Sequence, residues 1–151
     1  MRGRQVVVVD ASVTILLFVD EPQSPNAWKL FWRLAEPDPL PFFAPDLMYV
    51  ECANILWKYN QRFGYGPRQA QKNLEELAKL QIESVPTRGL CLKAYALAQK
   101  QGVTAYDACY VVLAQELGCP LITMDQGLVE KIPPAIAAVR RLSEYVAERS
   151  P

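Results

Sequence analysis

The sequence predicts an α/β fold in which a parallel β-sheet is covered by helices on both faces. Two features of the 151-residue chain support this prediction. Short β-branched or apolar runs alternate with longer helical segments, the order that repeated strand–helix units produce. The first run contains four consecutive valines, and a run that is apolar at every position is typical of a strand buried on both faces. No repeat or linker interrupts the pattern, so residues 1–151 are predicted to form one domain.

The first half of the chain is predicted to contain two strands and four helices. Asp10 ends the first strand. Ser24 precedes Pro25 and is expected to cap a helix that begins with this proline. Asp46 is expected to cap the longest helix, and Gly64–Gly66 separates that helix from the next. The predicted strands are Gln5–Val9 and Pro41–Ala44, and the predicted helices are Ala11–Val19, Asn26–Leu34, Leu47–Arg62 and Pro67–Leu80.

The second half is predicted to contain three strands, two long helices and a terminal helix. Thr104 and Asp107 have the spacing of a capping box, and Gly102 and Gly118 are expected to end the two long helices. Residues 125–127 (Asp-Gln-Gly) are predicted to form a turn. The predicted strands are Ile82–Val85, Pro120–Thr123 and Ala138–Leu142, and the helices are Thr87–Gly102, Thr104–Gly118 and one capped by Ser143.

The composition excludes several classes of site. The chain has no histidine, which removes Ser-His-Asp and Cys-His catalysis and histidine-containing zinc sites. Sixteen basic residues balance sixteen acidic ones, which argues against a polyelectrolyte that binds nucleic acid by excess charge. No C-x-x-C pair is present, so a zinc ribbon or a thioredoxin-type site is not expected. The cysteines lie in apolar segments and are expected to be small buried side chains: Cys52, Cys91, Cys109 and Cys119.

The N-terminal segment does not have the pattern of a signal peptide or a membrane span. Arg2 and Arg4 precede an apolar stretch, but Asp10 interrupts it and no small-residue cleavage pattern follows. The uninterrupted apolar pieces are far shorter than the roughly 20 residues that a spanning helix needs. We therefore expect a soluble, cytoplasmic protein with reduced thiols and no membrane partner.

Four carboxylates are the candidate functional groups. Asp10 and Asp125 follow predicted strands, and ligands of open parallel sheets bind at the carboxyl ends of the strands. Asp107 lies in the first turn of the helix that precedes the second of these strands, and Glu51 interrupts an apolar helical run. An oxygen-rich acidic site suits Mg²⁺ or Mn²⁺, which can activate water and neutralise charge on phosphorus. The pattern therefore indicates phosphodiester hydrolysis.

Each carboxylate also has a purely structural interpretation. Asp10 could cap the helix that follows it, and Asp107 could be the acidic member of a capping box with Thr104. Asp125 could belong to a turn, and Glu51 could lie on a solvated stripe with Lys58. A charge inside an apolar segment is costly when it is buried without a partner, so Glu51 is the hardest to explain in this way.

Four segments around these carboxylates resemble the motifs of PIN-domain ribonucleases, in the order and at about the spacing of that family. The segments are Val-Val-Val-Asp10-Ala-Ser12, Pro45-Asp-Leu-Met-Tyr-Val-Glu51-Cys-Ala-Asn54, Thr104-Ala-Tyr-Asp107-Ala and Leu-Ile-Thr123-Met-Asp125. The resemblance spans nearly the whole chain and is greatest to the toxins of VapBC-type toxin–antitoxin pairs.

The resemblance implies both a fold and an activity. It implies a three-layer α/β/α sandwich around a parallel sheet of four or five strands, and a Mg²⁺- or Mn²⁺-dependent endoribonuclease that leaves 5′-phosphate and 3′-hydroxyl ends. The implied metal ligands and catalytic residues are Asp10, Glu51, Asp107 and Asp125, with Ser12 and Thr123 supporting them by hydrogen bonding. It also implies a homodimer and a small antitoxin that blocks the site.

Other interpretations are weaker or remain open. A haloacid-dehalogenase phosphatase needs an Asp where this chain has Ser12, and the acidic pair of a receiver domain and a Gly-rich phosphate loop are both absent. A PIN-like binding or regulatory module with little or no activity remains the alternative. Tryptophans at helical spacing favour core packing over a partner surface. Two basic segments could hold an RNA backbone, one with Arg62, Arg68 and Lys72 and the other with Arg140 and Arg141.

Overall fold

The computed structural model describes residues 5–149 and contains a five-stranded sheet in which every neighbouring pair of strands is parallel. The strand order is β3-β2-β1-β4-β5. The predicted parallel sheet is therefore confirmed, with β1 at its centre. The strands are β1 (Val7–Val9), β2 (Phe42–Pro45), β3 (Ile82–Val85), β4 (Leu121–Thr123) and β5 (Val139–Arg141).

The central strands are buried on both faces. Consecutive side chains of a strand point to opposite faces, and Val7, Val8 and Val9 are all at most 1% exposed. The valine run therefore predicted the position of this strand correctly, although the strand is shorter than Gln5–Val9. The layers that cover the sheet confirm the predicted α/β/α arrangement.

Eight α-helices connect and cover the strands in the described part of the chain. The sixth packs on β1, β2 and β4, and the eighth packs on β4, β5 and the second helix. No helix among residues 5–149 combines the length and apolar character needed to cross a membrane. The helices are α1 (Ala11–Thr14), α2 (Ser24–Phe31), α3 (Leu47–Phe63), α4 (Pro67–Lys79), α5 (Cys91–Gln101), α6 (Ala105–Leu117), α7 (Gln126–Lys131) and α8 (Leu142–Arg149).

Four of the predicted helices begin or continue differently in the structure. One of them is α8, which begins at Leu142 and therefore includes Ser143, its predicted cap. The predicted single helix after β1 is the short α1 followed by a 3₁₀ turn, Ile15–Leu17. The apolar residues of this turn are buried, and a 3₁₀ turn buries them as well as an α-helix would. A 3₁₀ turn, Thr87–Leu90, likewise precedes α5. Ser24 is the first residue of α2 and not its cap, because its hydroxyl donates to the carbonyl of Val19 at 2.6 Å and accepts from the amide of Glu21.

The cap of α3 and the turn after β4 were also predicted wrongly. The Asp46 side chain makes no capping bond to α3, because it accepts from the amide and the hydroxyl of Thr87 at 3.0 and 2.5 Å. Asp125 does not start a turn but caps α7 through the amide of Leu128 at 3.2 Å. The Asx geometry that favours a turn also satisfies the first amides of a helix.

Candidate functional site

Asp10 lies at the end of the central strand and is 6% exposed. Its Oδ1 accepts hydrogen bonds from the Ser12 hydroxyl at 2.5 Å and from the Val13 amide at 3.2 Å. Asp10 thus caps α1, which is the structural role that the sequence also allowed for it. Burial raises the pKa of Asp10 to about 6, against the opposing effect of hydrogen bonds with Ser12, Thr123 and Val13. The cap therefore leaves the cost of burying the charge largely uncompensated.

Ser12 and Thr123 connect the segments that follow β1 and β4. The Ser12 hydroxyl donates to Asp10 and also accepts from the Met124 amide at 3.0 Å. The buried Thr123 hydroxyl accepts from the Asp125 amide at 3.0 Å and is hydrogen-bonded to Asp10. Both hydroxyls therefore form hydrogen bonds with Asp10.

Glu51 lies in α3 and points into the protein. It is partly buried, and its Oε1 accepts a hydrogen bond from the Tyr110 hydroxyl at 2.6 Å. Burial raises the pKa of Glu51, the hydrogen bond from Tyr110 opposes that rise, and the negative charge of Asp107 adds to it. The interpretation of Glu51 as part of a solvated stripe with Lys58 is therefore wrong.

Asp107 is electrostatically coupled to the other three carboxylates. Its charge raises the pKa of Asp10 and of Glu51. The pKa of Asp107 is itself raised, first by burial and then by the charge of Asp125, while a hydrogen bond with Thr104 opposes the rise. Its amide donates to the Thr104 hydroxyl at 3.1 Å, which is half of the predicted capping box. Each of the other three carboxylates thus lies close enough to Asp107 for the charge of one to affect the pKa of the other.

No basic side chain in the described part of the chain forms an ion pair with these carboxylates. The three ion pairs among residues 5–149 join Arg33 to Glu36, Lys93 to Glu116 and Arg140 to Glu148. None of them involves the four carboxylates at the edge of the sheet. Carboxylates that raise one another's pKa in this way favour an added cation.

The donor atoms suit Mg²⁺ or Mn²⁺, although the side chains do not form a closed cage. No three acidic or cysteine side chains among residues 5–149 surround one point at metal-binding distance. Mg²⁺ does not require such a cage, because it keeps several waters and is usually held by one or two carboxylates together with substrate phosphates. The all-oxygen donor set and its uncompensated charge therefore fit a hard divalent cation.

Tyr110 is a site residue that the sequence interpretation missed. It is 1% exposed, and its hydroxyl provides the hydrogen bond to Glu51 described above. Tyr110 lies three residues after Asp107 in α6, so the two side chains share one face of the helix. The three-residue spacing from Asp107 is the sequence signal that could have identified Tyr110 as a site residue.

Cys52, next to Glu51, is not a candidate metal ligand. Burial, together with the charges of Glu51 and Asp10, raises the pKa of the Cys52 thiol to about 12. A thiol must lose its proton to bind a metal ion, so Cys52 acts as a small core side chain. Cys109 and Cys119 are buried as predicted, but Cys91 is exposed, contrary to prediction.

The tryptophans are not core residues. Trp28, Trp32 and Trp57 are 57%, 69% and 57% exposed, so the expectation that they pack inward is wrong. The buried residues of α2 include Ala27, Leu30 and Phe31, which turns Trp28 and Trp32 outward. These two tryptophans line an apolar cavity of about 360 Å³ beside α4.

Comparison with known proteins assigns the family. A model described as PIN domain matches residues 7–132, which include all four carboxylates. Ribonuclease VapC3 of Pyrobaculum aerophilum is 40% identical over 129 residues, covering 84% of this chain and 95% of that protein.

Two solved structures share the fold. PAE2754 from Pyrobaculum aerophilum has a TM-score of 0.67 at 21% identity, covering 95% of this chain and 96% of that one. A toxin–antitoxin complex from Klebsiella pneumoniae has a TM-score of 0.61 at 20% identity, covering 90% and 97%. The family match and the relative from Pyrobaculum together show that the chain belongs to the PIN-domain family, in which it is similar to a VapC ribonuclease.

Proposed function

We propose that the protein is a divalent-metal-dependent endoribonuclease. The observation that carries the proposal is the group of four carboxylates coupled through Asp107, none of which forms an ion pair with a basic side chain among residues 5–149. Membership of the PIN-domain family and the 40% identity to a protein named as a ribonuclease support the same activity. The ion is Mg²⁺ or Mn²⁺, and the substrate is an RNA phosphodiester.

Each carboxylate has a role in this proposal. Asp10, Asp107 and Asp125 would hold one or two divalent ions, partly through the waters that Mg²⁺ keeps, and Glu51 would bind an ion directly or through a water molecule. When bound, the ion lowers the pKa of water and stabilises the charge that develops on the phosphate. Ser12 and Thr123 hold Asp10 in place, and the Tyr110 hydroxyl fixes the rotamer of Glu51.

The biological role we propose is that of the toxin in a toxin–antitoxin pair, acting in the cytoplasm as a homodimer. Similarity to a VapC ribonuclease and to the toxin–antitoxin complex from Klebsiella supports an antitoxin partner. The exposed Trp28 and Trp32, which line an apolar cavity, suit contact with a partner protein, since tryptophan is enriched at interfaces.

RNA cleavage by the purified protein tests the activity. We expect cleavage with Mn²⁺ or Mg²⁺, none in EDTA, and a loss of more than about a hundredfold in Asp107→Asn, because residues that only orient metal ligands already contribute ten- to a hundredfold. The exposed Lys93, which pairs with Glu116, provides a control. Lys93→Gln should cleave as the parent does.

A thermal shift separates metal binding from catalysis. A ligand that binds only the native state at a hundred times its Kd stabilises that state by about 2.7 kcal/mol. We therefore expect Mn²⁺ to raise the melting temperature of the parent and to have much less effect on Asp107→Asn. A parent that binds Mn²⁺ but leaves RNA intact would favour the alternative, an inactive PIN-like regulatory module.

A further inference from the structure

Two consecutive arginines end β5 and have different surroundings. Arg140 and Arg141 are both partly buried. Arg140 forms an ion pair with Glu148 of α8, so its side chain lies on the face of the sheet that α8 covers. Because neighbouring residues of a strand point to opposite faces, Arg141 points away from α8.

The register of the sheet places Arg141 in a row with two site residues. Thr123 pairs with Arg141 across β4 and β5. Val9 pairs with Ile122 across β1 and β4, so Asp10 stands beside Thr123 one residue later. Residues paired across neighbouring strands share a face, which agrees with the hydrogen bond between Asp10 and Thr123. Strands lie about 4.8 Å apart, so the backbones of Asp10 and Arg141 are separated by about 10 Å.

The guanidinium of Arg141 has no partner among residues 5–149. Within this described range, its side chain forms neither an ion pair nor a hydrogen bond. It therefore does not neutralise Asp10 or Asp125, although it shares their edge of the sheet. A partly buried arginine without a partner keeps all its donors available, and a guanidinium matches a phosphate in shape and charge.

We propose that Arg141 is a substrate-binding residue that holds an RNA phosphate flanking the one that is cleaved. This inference rests on the proposed ribonuclease function. The carboxylate edge alone repels a polyanion, and Arg141 supplies positive charge at the end of the row formed by Asp10 and Thr123. Arg140, bound to Glu148 on the other face, has no such role.

The adjacent arginine provides the matched control. Arg141→Gln and Arg140→Gln remove the same charge from neighbouring positions on opposite faces. Affinity for a labelled single-stranded RNA of mixed sequence is measured by fluorescence polarisation with Mg²⁺ in a Glu51→Gln background, from about 50 to about 200 mM salt. Melting temperatures are recorded for each variant to confirm folding.

We expect Arg141→Gln to weaken RNA binding roughly tenfold, as for the loss of a hydrogen bond to a charged group. The slope of log affinity against log salt should become shallower by about 0.7, the change expected for one lost phosphate contact on a single strand. Arg140→Gln should change neither quantity. Arg141→Lys should keep the salt slope while losing part of the affinity, because it retains the charge but not the fork of donors.

Kinetics in the protein with Glu51 intact give an independent measurement. Loss of a flanking phosphate contact should raise KM about tenfold and leave kcat nearly unchanged, because the contact exists before and during the reaction. Equal affinity, salt slope and KM in the two glutamine variants would overturn the assignment of Arg141 and leave the ribonuclease proposal intact. A parent protein that neither binds nor cleaves RNA would overturn both.

Discussion

The ends of β1 and β2 offer a comparison between two aspartates in nearly the same position. Asp10 and Asp46 each directly follow one of two neighbouring parallel strands. Burial raises the pKa of Asp10 to about 6. Asp46 is exposed, and hydrogen bonds from the hydroxyl and amide of Thr87 lower its pKa. Position after a strand is therefore a poor guide to function, whereas a buried charge that the protein leaves uncompensated is a better one.

The largest difference should appear in activity. Asp10→Asn should reduce metal-dependent RNA cleavage by more than about a hundredfold, because the amide cannot replace an anionic ligand. Asp46→Asn should retain activity within about twofold, because the side chain of Asp46 forms its hydrogen bonds among residues 5–149 with Thr87, at the start of a 3₁₀ turn. Initial rates with a labelled RNA and Mn²⁺ measure both. If the two variants lost similar amounts of cleavage activity, burial of the aspartate would not distinguish the functional strand end from the other one.

A smaller effect is expected at the hydroxyl that holds Glu51. Tyr110→Phe keeps the ring in the core but removes the donor that bonds Glu51 at 2.6 Å. We expect activity to fall ten- to a hundredfold, the range for groups that orient a ligand. The Mn²⁺ concentration that gives half-maximal activity should rise as well. A purely structural role for Tyr110 would lower the melting temperature without changing that concentration.

The two aspartates should also differ in their effect on the stability of the metal-free protein. The native state holds the Asp10 proton more tightly than the unfolded chain does, so stability falls as pH rises from about 4 to about 6. Asp10→Asn removes this loss and should stabilise the protein in EDTA by about 3 kcal/mol at pH 7, since each pKa unit corresponds to about 1.4 kcal/mol. Urea unfolding across this pH range measures both quantities.

Asp46 should influence stability in the opposite direction. Its pKa is lowered in the native state, so its contribution is present above about pH 4 and is lost as the pH falls further. Asp46→Asn should therefore flatten the acid side of the stability curve and slightly destabilise the protein at neutral pH. If the two asparagine variants shifted the curve in the same direction, burial would not be what distinguishes these carboxylates.

Much of the fold was predictable because burial on both faces of a strand leaves a direct pattern in the sequence. The valine run that ends at Val9 is an example. The ends of two helices were predictable for another reason, since Gly102 and Gly118 have φ of 68° and 62°. These are left-handed conformations that favour glycine. The segment Ile15–Leu17 was less predictable, because an apolar run three residues long fits an α-helix or a 3₁₀ turn equally well.

The tryptophans show why exposure is harder to predict than secondary structure. Helix α2 has apolar residues on more than one face, so its periodicity does not determine which face packs inward. Trp28 and Trp32 share one face of the helix, which is exposed. The buried face instead carries Ala27, Leu30 and Phe31. Which face of α2 is buried depends on its packing against α8 and against Phe42 of the sheet, and the local sequence does not contain this information.

The candidate carboxylates were identifiable from sequence, but their couplings were not. Each of the three aspartates takes part in a helix cap, so the structural and the chemical interpretations apply to the same residues. Only the fold brings Asp107 close enough to alter the pKa of Asp10 and Glu51. The hydrogen bond between Tyr110 and Glu51, 59 residues apart, depends on the same packing of α6 against the sheet.

The single hydroxyl of Ser12 makes the Met124 amide a spectroscopic reporter. Ser12 donates its only proton to Asp10 and accepts from Met124 with a lone pair, so the two bonds polarise each other. A cation that draws electron density from the Asp10 carboxylate weakens the first bond and thereby changes the second. The nitrogen-15 resonance of Met124 would then follow the occupancy of the carboxylate edge in a titration, from a backbone position that contributes no ligand atom.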